Sequence, residues 1–199
     1  MKTTLSVAPF STVAVLACCW LATVSQLVAA EPLMVCAPGG THLATGAEPG
    51  RIHYRQASDY AIQHTFYICH PQAICFSEDG KLLAASGGRN GSQAKIKVWR
   101  IADHLELCQI ITAGEGFNAL ALSSDGNLVV AASSDGHIEV WRVSDGYSQW
   151  SRTLSSAVRS IRFSSNSKRV LIQAENESDR QFDAGNGRLM TDLGVAPKR

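Results

Sequence analysis

Excess charge of either sign is missing from this chain: 18 Lys plus Arg stand against 17 Asp plus Glu in 199 residues. Nucleic-acid binding draws on a basic surplus or stripe, so this balance gives it no electrostatic footing. Basic clusters such as Arg159, Arg162, Lys168 and Arg169 are balanced by Glu175, Glu177 and Asp179 and read as a solvated or blade-edge face. Catalytic and metal signatures are also lacking. The six His form no HExxH, and no CxxC or Cys/His pair has zinc spacing, so neither a structural metal nor a metal-dependent reaction is expected. There is no GxSxG elbow and no Gly-rich phosphate loop after a strand. Ser165-Asn166-Ser167-Lys168 satisfies SxxK, but that motif works on a helix and here it falls in a turn. No ten-residue stretch after residue 30 keeps a helical period as well as a strand period. No catalytic, cofactor-binding or metal-ligating residue is therefore assigned.

What the chain does contain is a repeat. Leu122 to Arg142, LSSDGNLVVAASSDGHIEVWR, has an imperfect copy in Phe76 to Arg100, FSEDGKLLAASGGRNGSQAKIKVWR. With the residue before the first turn as marker, copies align at Cys36, Phe76, Leu122 and Phe163, at intervals of 40, 46 and 41 residues. Apolar residues at i and i+2, as in Ile74 and Phe76 or Leu120 and Leu122, give the strand period. Asp79-Gly80 and Asp125-Gly126 cut those runs as hairpin turns, since a tight turn needs positive φ. A third run follows Asp135-Gly136 and a more polar fourth completes the unit. In the first unit RIHYR, Arg51 to Arg55, stands where KVWR stands later, and the turn is one residue shorter. In the fourth, Phe182 takes the place of Trp141, 19 residues from its marker. The predicted fold is all-β: a β-propeller-like array of four-stranded antiparallel blades over 33–66, 72–112, 117–155 and 157–195.

These units resemble WD40 repeats, most closely in the second and third. The resemblance is carried by Lys97-Val98-Trp99, Glu139-Val140-Trp141 and the Asp-Gly turns at the expected distance before them. It implies a non-catalytic scaffold or binding module whose propeller loops engage a protein or peptide. The family's structural network pairs a His before the innermost strand with an Asp before the Trp strand. Only Asp135 fits the second role and only His70 the first, so the network is expected to be incomplete. Trp99 and Trp141 recur in register and are assigned to packing between blades. Trp150 does not recur, which places it exposed on an outer strand as the candidate interface anchor. Four units also predict an open arc, and with it either self-association into a closed ring or a shortened relative of a longer propeller. The alternative is a quinoprotein-like propeller enzyme or its relic, because Asp183 to Leu189, DAGNGRL, resembles the repeat of those dehydrogenases.

Residues 1–30 read differently. Lys2 is the only charge before Glu31, an apolar run follows, and small residues end it at Val28-Ala29-Ala30. That pattern describes a secretory signal peptide cut after Ala30, and hence a secreted or periplasmic protein. The alternatives are an uncut membrane anchor over 12–30 and a lipoprotein signal at Cys18. Export also permits disulfides. Cys36 and Cys75 read as small buried strand residues, whereas Cys69 and Cys108 are the better candidates to oxidise. Asn90-Gly91-Ser92 and Asn176-Glu177-Ser178 are glycosylation sequons.

Overall fold

A computed structural model describes residues 33–48, 50–88, 93–113, 116–175 and 177–193. Residues 1–30, read from the sequence as a signal peptide, and Asn90 and Asn176 lie outside these. Sixteen strands and no helix are found among the described residues. They form four antiparallel sheets, each a simple meander of consecutive strands. Blade one contains β1 (Leu33–Cys36), β2 (His42–Glu48), β3 (Arg51–Gln56) and β4 (Ile62–Tyr67). Blade two contains β5 (Pro71–Phe76), β6 (Leu82–Gly87), β7 (Ala94–Arg100) and β8 (Glu106–Thr112). Blade three contains β9 (Ala119–Leu122), β10 (Leu128–Ala132), β11 (His137–Arg142) and β12 (Ser148–Thr153). Blade four contains β13 (Val158–Phe163), β14 (Arg169–Ala174), β15 (Asp179–Asp183) and β16 (Leu189–Leu193). The all-β, four-stranded architecture is the one the repeat predicts.

Side chains on a strand alternate between faces, so each blade has two faces to bury and does so against its neighbours. The first strands β1, β5, β9 and β13 lie side by side in chain order and form the inner edge. Among the described residues β13 does not return to pack on β1 in this way, so the blades make an open arc. The core is divided among the three junctions. Ile52, Phe66, Leu83 and Trp99 fill the first, Val98, Phe117, Val129 and Trp141 the second, and Val140, Trp150, Val170 and Phe182 the third. Trp99 and Trp141 are 4% and 2% exposed and lie within these junction cores.

The turns show why the Asp-Gly pairs recur. Gly80 and Gly126 hold φ of 70° and 72°, and in blade four Ser167 takes the same conformation at 58°. A hydroxyl two residues before the Asp or Asn completes each turn. Ser77 Oγ donates to Asp79 (2.7 Å), Ser123 Oγ to Asp125 (2.6 Å) and Ser164 Oγ to Asn166 (2.7 Å). The same oxygens accept the amides of Leu82, Leu128 and Arg169 at 2.9, 2.9 and 3.0 Å. A closed set of local bonds of this kind pins the hairpin register and satisfies polar groups inside the turn.

Two alignments of the first unit change. Cys36 pairs with Leu43 as Phe76 pairs with Leu83, and Gly40 holds φ 69° where Gly80 holds 70°, so the two turns are equally long. Leu43 then faces Arg55, whereas Leu83 faces Trp99 and Val129 faces Trp141. Arg55, not Tyr54, therefore occupies the tryptophan place of blade one. Tyr54 lies on the opposite face, stacked on His42 at 4.8 Å and turned toward Phe76 of blade two.

Candidate functional site

The inner edge of the arc carries a shallow, open cleft of about 270 Å³. Blades two, three and four line it through equivalent positions. Phe76, Leu122 and Phe163, the last residues of β5, β9 and β13, supply the floor, with Leu120 beside them. The residues just before them are Cys75, Ala121 and Arg162, and the first turns add Glu78, Ser124 and Ser165 at the mouth. The side-chain period of two turns successive positions into the junctions on either side of a blade, and both kinds meet the cleft at the inner edge.

The mouth is tied together across blades. Ser124 Oγ donates to the Glu78 carboxylate, and the Asp125 amide donates to Ser167 Oγ at 3.2 Å. Arg162 is exposed and has no ion-pair partner among the described residues. The wall thus carries an engaged carboxylate on one side and an available guanidinium on the other. Burial pushes the Cys75 thiol up to about 12, so it stays protonated and serves packing, not nucleophilic attack.

Most of the other singled-out residues work locally. Burial alone raises the Asp79 and Asp125 carboxyls, but the Ser77 and Ser123 hydroxyls and the amides of Lys81 and Asn127 hold both below their ordinary value. Asp135 is held down by the Ser133 hydroxyl and the His137 amide. Its bonds thus come from its own turn. His70 is exposed in the β4–β5 connection at φ 46°. The SxxK string lies in the β13–β14 turn, where Asn166 Oδ1 accepts the Lys168 amide at 3.1 Å. Asp183 to Leu189 forms the β15–β16 turn, with Asp183 Oδ1 accepting the amides of Gly185 and Asn186, both at 3.0 Å.

Trp150 is not an exposed anchor. It is 7% exposed, 6.0 Å from the Phe182 ring, and donates Nε1–H to the Ala184 carbonyl at 2.8 Å. Blade four covers it, and Gly187 fits against its ring so closely that a Cβ there would lie 2.6 Å from Trp150 Cδ2. Cys108 is also buried, at 8% exposure within the junction of blades two and three, which removes it from the accessible thiols; Cys69 is exposed.

The serines of the Ser-x-Asx turns and the cleft itself were missed in the sequence reading. The serines had a signal in the recurrence of Ser two places before Asp79, Asp125, Asp135 and Asn166. The cleft had none, because its floor residues look like core.

The model of the WD domain, G-beta repeat family, matches residues 62–100 and 106–142. Over these residues the chain carries WD40 repeats. Each matched window begins at an outer strand, β4 or β8, and ends with the third strand of the next blade, β7 or β11. A WD40 sequence unit therefore straddles two blades and joins neighbours covalently. WD40 repeats mark a protein-interaction scaffold, and domains built from them are typically non-catalytic. No curated protein matches this chain.

Proposed function

We propose that this WD40 array is a non-catalytic scaffold, exported from the cytoplasm, that grips a peptide segment of a partner protein in the cleft at its inner edge. The cleft carries the proposal. It is smaller than the roughly 300–1,000 Å³ of pockets for drug-sized ligands and suits a peptide's side chains. Its floor of Phe76, Leu122 and Phe163 takes an apolar side chain, and Arg162 beside it takes a carboxylate by charge-assisted hydrogen bonds. The partner segment is thus an apolar residue next to Asp or Glu. Export rests on Lys2 and the apolar run ending at Ala30.

Selection of displayed random peptides on the full chain tests the cleft. Peptides pairing apolar with acidic residues are expected, and Arg162→Glu abolishes their binding. A selected set that binds equally well after Arg162→Glu and after Ala121→Trp, which fills the cleft, refutes the reading. N-terminal sequencing of protein recovered outside the cytoplasm is expected to begin at Glu31; recovery in the cytoplasmic fraction with residues 1–30 attached refutes export.

A further inference from the structure

The cleft carries two charges, and each departs from the repeat. In the first turns of blades two, three and four, the position after the turn serine holds Glu78, Ser124 and Ser165. The position before each floor residue holds Cys75, Ala121 and Arg162. Small neutral residues fill the equivalent places, so neither the turn nor the strand needs a charge there. The two charges are opposite in sign and stand at opposite ends of the floor. Glu78 belongs to blade two and Arg162 to blade four, with Leu122 of blade three between them.

Neither charge is neutralised from within the protein. Glu78 is exposed and forms no ion pair among the described residues; nearby Lys81 pairs instead with Asp79 at 3.0 Å. The Ser124 hydroxyl donates to Glu78 Oε2, which holds the carboxylate at the mouth and leaves Oε1 open among the described residues. A hydroxyl orients a carboxylate without cancelling its charge.

We infer that the cleft is dipolar and that Glu78 is a second specificity residue: the bound segment carries a basic side chain on the blade-two side of its apolar residue, opposite the acidic one that meets Arg162. This rests on the peptide reading of the cleft and adds the base to it. A Lys or Arg head takes the open Glu78 oxygen in a charge-assisted hydrogen bond. An acidic side chain in that place meets like charge, so segments acidic on both sides, which Arg162 alone would accept, are rejected. The cleft is shallow and open, so water screens the contact, and an ion pair of that exposure shifts affinity about two- to fivefold.

Displayed random peptides selected on the full chain and on its Glu78→Lys variant test the inference. The native chain is expected to enrich peptides with Lys or Arg on one side of an apolar residue and Asp or Glu on the other. Glu78→Lys is expected to enrich peptides acidic on both sides. In a synthetic copy of a peptide selected on the native chain, changing the base to Gln should weaken binding about two- to fivefold. The same change should cost nothing on Glu78→Ser, which installs the residue type that blades three and four hold at this place. Retained β-sheet circular dichroism checks both variants, and if Glu78→Lys does not fold, the Glu78→Ser comparison decides. Selected peptides that lack a base, or a base whose loss costs the same on the native chain and on Glu78→Ser, overturn the inference; the peptide reading survives them if Arg162→Glu still abolishes binding. Recovery of no peptide, or binding indifferent to both Arg162→Glu and Ala121→Trp, overturns the reading and the inference with it.

Discussion

Replacing Trp150 tests how blades three and four are joined. The indole is 7% exposed, and its Nε1–H donates to the Ala184 carbonyl at 2.8 Å. Truncation to Ala removes a large buried aromatic, which costs about 3–5 kcal/mol. Trp150→Phe keeps most of the apolar contact but leaves the Ala184 carbonyl without its donor, a loss of about 1–3 kcal/mol. Gly187 provides a sharper test because two separable penalties meet there. Its φ of 67° costs an L-residue about 1–2 kcal/mol, and an added Cβ lies 2.6 Å from Trp150 Cδ2. Gly187→Ala in the native background therefore carries both penalties. In the Trp150→Ala background the clash has no partner and only the backbone penalty remains. A double-mutant cycle measured by urea denaturation should show the second substitution costing less than it does alone, by about 1 kcal/mol or more. Strict additivity, or a Trp150→Ala change within about 0.5 kcal/mol as at a surface site, refutes the buried placement.

Three further outcomes follow from the same geometry. Ser123→Ala removes one donor to the Asp125 carboxylate and strands the Leu128 amide, so it should cost about 1–2 kcal/mol by urea denaturation, more than exposed Ser144→Ala. His64 and His104 stack at 3.8 Å, and burial, then the His104 charge, lowers the His64 pKa. The unfolded chain then takes up the proton first, so this contribution is intact above the ordinary histidine value of 6.5 and is lost as pH falls from there toward the folded value. A pH series of urea midpoints should show that loss, and His104→Asn should lessen it; an unchanged slope contradicts the coupling. Brief alkylation of the native chain, mapped by mass spectrometry, should label Cys69 and spare Cys75 and Cys108, whose thiols burial pushes up. Rapid labelling of Cys108 contradicts its place in the junction.

The parts of the fold that were legible before the structure are those where local chemistry leaves little choice. Asp79-Gly80 and Asp125-Gly126 announce hairpins because few residue pairs adopt the positive φ they need. Trp99 and Trp141 announce packing because they recur in register. Arg55 was misread because neighbouring Tyr54 imitates the aromatic that the position holds elsewhere. A count of 19 residues from Cys36, the interval that links Leu122 to Trp141, ends on Arg55. Trp150 and Cys108 were illegible for a different reason: their burial depends on what the following blade supplies. Trp150 is covered by Phe182, Ala184 and Gly187, residues more than 30 positions later. The cleft combines both difficulties. Phe76, Leu122 and Phe163 carry a strand-core signature, and only the stacking of blades turns them into a floor beside Arg162.

Site-specific photocrosslinking with a peptide selected on the full chain tests most directly where this WD40 array binds. A benzoylphenylalanine at Ser124, on the cleft mouth, is compared with one at Tyr147, 69% exposed just before the outer strand of the same blade. The cleft account predicts a covalent adduct from position 124, lost on addition of Arg162→Glu, and none from position 147. An adduct from position 147 and none from 124 contradicts it.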